Sequence, residues 1–111
     1  MSPMSELESV MDEIRAFVRE RDWEPFHDPK NLAMAVASEA GELAAELRWV
    51  PSHEADAFAQ KEDVHGRLSD EAADVAITLL MFCDRAGIDP IAAMRAKLVK
   101  NRLKYPVERK G

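Results

Sequence analysis

The sequence predicts an all-α fold: a four-helix bundle that assembles as an oligomer. Three observations carry this. Apolar residues recur at spacings of three and four through four separate stretches. No segment shows the period-two alternation of a half-buried strand, and the links between the stretches are short. The third stretch is apolar in nearly every direction, at Val75, Ile77, Leu79, Leu80, Met81 and Phe82. One small bundle does not cover all sides of such a helix, so a second face is expected to pack on another subunit.

The first helix is expected over residues 5–20. Ser5 and Glu8 form a capping-box pattern. Leu7, Val10, Met11, Ile14, Phe17 and Val18 make its apolar stripe. The segment RDWEPFHDPKN follows as a loop, because Pro25 and Pro29 exclude continuous helix. The second helix spans residues 29–49 and stops near Pro51. Residues 52–67 read as a polar connection, with room for one short helical turn over 53–58 and with Gly66 as a breaker. The third helix starts near Ser69, a suitable N-cap, and ends at Ala86 and Gly87. Asp89 and Pro90 open the fourth helix, which carries Ile91, Met94, Leu98 and Asn101 and ends near Tyr105 and Pro106.

A chain of 111 residues suits one domain, 1–111, with its core over about 5–106. No apolar run approaches the roughly 18 residues that span a bilayer, so no membrane partner is expected. The acidic start, MSPMSELESV, lacks the apolar core of a signal peptide. The single cysteine, Cys83, has no partner for an internal disulfide; these features favour the cytoplasm. A net charge of -6 argues against a nucleic-acid surface. Positive charge nonetheless crowds the C-terminal end at Lys97, Lys100, Arg102, Lys104, Arg109 and Lys110, which suits a small phosphorylated ligand.

The chemistry lies where acids meet the apolar stripes. At about 100° per residue, with Glu39 as zero, Leu32, Leu43, Val36 and Leu47 fall between about 20° and 80°. Glu39 therefore borders the stripe and Glu42 flanks it. An ionised carboxylate against a core is costly unless compensated, and two acids one turn apart repel. The pattern returns at Glu71 and Asp74, in the helix that is apolar nearly all round. Two such helices facing each other would converge four carboxylates, a set that suits Mg²⁺ or Mn²⁺. Exposed acids on helix edges are the plainer alternative. Glu46 reads as a surface acid, or as a partner for Arg48 or a neighbouring subunit.

RDWEPFHDPKNLAMAVASEAGELAAELRW, DEAADV and KLVKNRLKYP together resemble the MazG-like all-α nucleoside triphosphate pyrophosphohydrolases, within them the short dCTP-pyrophosphatase branch. The resemblance covers about residues 21–106. It implies hydrolysis of a nucleoside or deoxynucleoside triphosphate, dCTP or a related or modified one, to the monophosphate and pyrophosphate. It implies that Glu39, Glu42, Glu71 and Asp74 bind Mg²⁺ and carry the catalysis. Lys97, Asn101, Lys104 and Tyr105 are placed around the phosphates, with Lys30 as a further candidate. Trp23 and Trp49 match the aromatic base-binding positions, and His27 stands in the same loop. The chain departs from the dCTP-specific pattern at two positions of the base pocket, with Ile14 in place of His and Thr78 in place of Tyr. The resemblance also implies a homotetramer, favoured over a dimer, with nucleotide pockets shared between subunits. The alternatives are a phosphoribosyl-ATP or dUTP pyrophosphohydrolase, and a non-catalytic helical interaction module whose acids bind a basic partner.

Overall fold

The computed structural model describes residues 5–108, so Arg109 and Lys110 of the C-terminal basic group lie outside it. The described residues form five α-helices and no strand: α1 (Glu6–Glu20), α2 (Pro29–Leu47), α3 (Ser52–Ala59), α4 (Glu62–Ala86) and α5 (Pro90–Lys104). A single 3₁₀ turn, Glu24–Phe26, sits in the loop before α2. The all-α class is as the sequence predicts.

The helix starts follow local chemistry. Ser5 Oγ accepts from the Glu8 backbone N–H while the Glu8 carboxylate accepts from that of Ser5, completing the capping box of α1. Asp28 caps α2 by accepting from the Asn31 N–H at 2.8 Å, with Pro29 at the first helical position. Asp89 does the same for α5 through the Ala92 N–H.

Three expectations are corrected. The short helical turn allowed over 53–58 is the longer α3, and residues 62–67 are not a polar connection but the start of α4. α2 ends at Leu47, two residues short of Trp49, where the chain turns toward Pro51. The third predicted helix starts at Glu62 rather than near Ser69, and Gly66 lies inside it. A helical Gly costs only about 1 kcal/mol relative to Ala, which tertiary burial readily outweighs. Here Val64, 3% exposed, anchors the first turns of α4, and Glu62 and Asp63 sit favourably at its N-terminus.

α4 is the axis of the molecule. α2 packs along it, and α1 and α3 lie against it more lightly. Met11, Ile14 and Val18 of α1 form a buried cluster with Leu7, Leu80 and Met81. The Arg15 guanidinium donates to Asp84 Oδ1 from Nε at 3.0 Å and Nη2 at 2.7 Å, fixing α1 on the C-terminal part of α4. Arg85 ties the loop there by donating to the Glu24 carbonyl. α5 packs only lightly on the other helices, and its Met94, Leu98, Val99 and Leu103 are exposed. The radius of gyration is 17.6 Å. A compact domain of this length has about 13 Å.

Gly66 inside α4 and Gly87 just past its end differ in backbone state. Gly87, at φ 71°, ends the helix in the left-handed region, with the Ile88 N–H donating to the Cys83 carbonyl. Gly66 is helical, and a methyl group added there meets no atom within 4 Å. Gly66→Ala is therefore expected to stabilise the chain by about 0.5–1 kcal/mol, and Gly87→Ala to destabilise it by about 1–2 kcal/mol. Thermal denaturation of the two variants checks this, and shifts of the same sign would contradict it.

Candidate metal centre

α2 and α4 face each other antiparallel across the site: Glu46 meets Arg67, and the Glu39–Glu42 turn meets the Glu71–Asp74 turn. The spacing of three puts both acids of each pair on the facing side of their helix. One carboxylate oxygen each from Glu39, Glu42 and Glu71 lies within 4.8 Å of the others. Asp74 falls outside that set, yet close enough for its charge to act on both Glu39 and Glu71. Glu42 and Asp74 are exposed, and Glu39 and Glu71 are half-buried.

The two half-buried acids carry the informative atoms. Oε2 of Glu39 and Oε2 of Glu71 are out of contact with solvent and have no hydrogen-bond partner. Buried polar atoms are normally paired, so such orphans call for an explanation. Both groups hold their protons more tightly than an ordinary glutamate. Removal from water is the larger cause, and the neighbouring carboxylates add to it. An all-oxygen donor set with orphaned acceptors fits a hard divalent cation such as Mg²⁺ or Mn²⁺.

The other predicted residues are more scattered. Lys30 is exposed in the first turn of α2, and Lys97, Lys104 and Tyr105 are exposed on or just past α5. Asn101 is half-buried. Among the described residues, Lys30, Lys97 and Lys104 make no ion pair within 4.0 Å; Lys104 lies 5.3 Å over the Tyr105 ring. Trp23 packs edge-on against Phe17, ring centroids 5.5 Å apart, and lies 6.0 Å from His27. His27 and Ile14 line a cleft of about 400 Å³ between α1 and the C-terminal end of α4, and none of the four acids lines it. Trp49 stands beyond the other end of α2, 84% exposed, with Arg48 over its ring. α2 has 19 residues, so about 28 Å of helix separates the two tryptophans. Thr78 is half-buried, and its hydroxyl donates back to the Asp74 and Val75 carbonyls.

Sequence reasoning missed one member of this seam. Arg67 Nε donates to Glu46 Oε2 at 3.1 Å, so within the chain the partner of Glu46 is Arg67 rather than Arg48. The signal was present, since Arg67 stands four residues before Glu71. Starting the helix near Ser69 leaves Arg67 in a loop and hides that spacing.

The chain is similar to known proteins in sequence and in fold. Residues 38–111, which include all four acids, match the profile of the MazG-like family. The chain belongs to that family. It is 37% identical over 106 residues to dCTP pyrophosphatase 1 of Rattus norvegicus, covering 96% of this chain and 62% of the relative. The Homo sapiens protein of the same name is 35% identical over 105 residues, covering 95% and 62%. The chain thus spans a little under two thirds of the length of these relatives. In structure it is similar to a pyrophosphatase from Archaeoglobus fulgidus, with TM-score 0.88 and 36% identity over 96% of this chain and 98% of that one.

The raised proton affinity of Glu39 and Glu71 has a definite sign in stability. Between the unfolded value near 4.5 and the higher folded values, the folded chain binds more protons than the unfolded one. These two groups therefore weaken the metal-free fold as pH rises through that window, and the penalty is fully present above it. Chelator-treated protein should lose part of this penalty as pH is lowered toward about 4.5, and Glu39→Gln should flatten the dependence. Thermal melts across this pH range read both effects; an unchanged profile in Glu39→Gln counts against the electrostatic account.

Proposed function

We propose that this chain is a Mg²⁺-dependent nucleoside triphosphate pyrophosphohydrolase, active on dCTP or a related or modified deoxynucleotide. The observation that carries the reading is the pair of orphaned, solvent-shielded oxygens on Glu39 and Glu71 inside a carboxylate cluster. The family and the named activity of the relatives support it.

Glu39, Glu42, Glu71 and Asp74 would hold the cation, with Mn²⁺ as a substitute. When bound, the cation supplies positive charge to the phosphate oxygens and acidity to the water nucleophile. One of these carboxylates is proposed to take the water proton as general base as well as to hold the cation. The water oxygen bonds to the phosphorus next to the nucleoside, and the bond to the bridging oxygen breaks. The monophosphate and pyrophosphate leave.

Lys30, Lys97, Asn101, Lys104 and Tyr105 are proposed to contact the phosphates, and Trp23, His27, Trp49 and Thr78 the base. Trp23 and Trp49 lie at opposite ends of α2, so one pocket uses both only if two chains contribute. The radius of gyration of 17.6 Å and the bare apolar face of α5 support a homo-oligomer, a tetramer before a dimer. No helix among the described residues is long and apolar enough to cross a membrane, and the enzyme is proposed to work in the cytoplasm as one domain, with no nucleic-acid partner.

Product analysis tests the reaction: pyrophosphate with monophosphate is expected, whereas orthophosphate with diphosphate places the attack at another phosphorus. Glu39→Gln or Glu71→Gln should lower kcat at least a hundredfold with the fold retained, read by turnover and circular dichroism. Full activity in both sinks the metal site. Light scattering at micromolar protein should give a mass of several chains, and a fully active monomer would contradict the shared pocket.

A further inference from the structure

The row of acids along the α2–α4 seam ends in an ion pair. Glu46 stands four residues after Glu42, and Arg67 four before Glu71. Four residues of helix advance about 6 Å, so the pair flanks the cluster on one side. Arg67 Nε donates to Glu46 Oε2 at 3.1 Å, and Arg67 Nη1 lies 3.6 Å from Asp63 Oδ2. The Glu46 side chain is 24% exposed and that of Arg67 50%.

As a brace, an ion pair this open contributes little. Its charges matter more. An arginine four residues before a glutamate on one helix is within reach of it, and here that glutamate is Glu71, with an orphaned oxygen. A guanidinium settling on Glu71 would compensate the cluster from within and oppose an incoming cation. Glu46 diverts it: the carboxylate across the seam engages Nε, and Arg67 is found there instead.

Resting on the metal reading of the four acids, we propose that Glu46 and Arg67 are positioning residues that set the affinity of the carboxylate site for its divalent cation. Arg67 tempers the negative field of the cluster. Glu46 holds Arg67 one turn away and keeps the site open.

Breaking the same bond from its two ends therefore has opposite effects. Arg67→Gln leaves Glu46 as an added negative charge beside the cluster, and the cation binds more tightly. Glu46→Gln leaves only the exposed Asp63, 3.6 Å from Arg67 Nη1, to compete with Glu71 for the guanidinium, and the cation binds more weakly. The test is titration of the full chain with Mn²⁺ by calorimetry, at low ionic strength and without nucleotide. Changes of roughly three- to tenfold in Kd are expected, tighter for Arg67→Gln and weaker for Glu46→Gln, both shrinking in about 0.5 M salt. The double variant, which removes both charges, should return to within about twofold of the wild type. A purely structural brace weakens binding in both single variants. Changes of the same sign, or no change in either, overturn the proposal while the metal site stands. A wild type that binds no Mn²⁺ overturns the metal site itself, and this proposal with it.

Discussion

Repulsion among carboxylates across one helix seam is the constraint on which the rest depends. Glu39 and Glu42 on α2 face Glu71 and Asp74 on α4, and two of these acids present an oxygen shielded from solvent and without a hydrogen-bond partner. Left alone, such a seam should open. The molecule keeps it closed by making it the most extensive helix pairing in the chain. Leu32 is buried at the start of α2, and Val36, Leu43, Leu47, Val75 and Leu80 are half-buried along the two helices. Apolar burial is non-directional and indifferent to the acids, so it can hold like charges together. The residual cost is local, and it is what a cation would relieve.

The surroundings of that seam are loose for a chain of this length. α1 is fixed at one end of α4 by Arg15 and Asp84, and α5 is hardly packed at all. Six apolar residues among those described are buried: Met11, Ile14, Val18, Leu32, Val64 and Cys83. That is thin support for a lone domain of 111 residues, which ordinarily relies on one contiguous core. The proposed assembly answers this deficit and the separation of the tryptophans together. Copies that cover Leu79, Leu98 and Leu103 would complete the core, and a pocket shared between chains would draw on the Trp23 end of one and the Trp49 end of another.

Much of this was legible in the sequence, for reasons that differ by feature. Capping residues act within four residues of themselves, so the starts of α1 and α5 follow directly from Ser5 with Glu8 and from Asp89 with Pro90, while the Asp28 cap of α2 emerges only in the structure. The paired acids were legible because helical spacing alone decides which side of a helix they occupy. The start of α4 was not. Gly66 and the polar run around it argue locally for a break, and the opposing term is the burial of Val64, which no local pattern displays. The same error concealed Arg67. How α5 sits relative to the acids depends on packing between elements and was beyond periodicity.

The Glu46–Arg67 pair shows why helix continuity matters to the chemistry. Had α4 begun at Ser69, Arg67 would lie on a flexible connection, and its charge would be spread over many positions. Seven further residues of helix put it at a set height on the seam, opposite Glu46 and one turn from Glu71. A charge fixed at one distance from a cation site contributes a definite increment to the local field, whereas a mobile one is largely screened. The extra turns run through Gly66 despite its cost of about 1 kcal/mol in helix stability, and they bring Arg67 and Glu46 into register with the carboxylates.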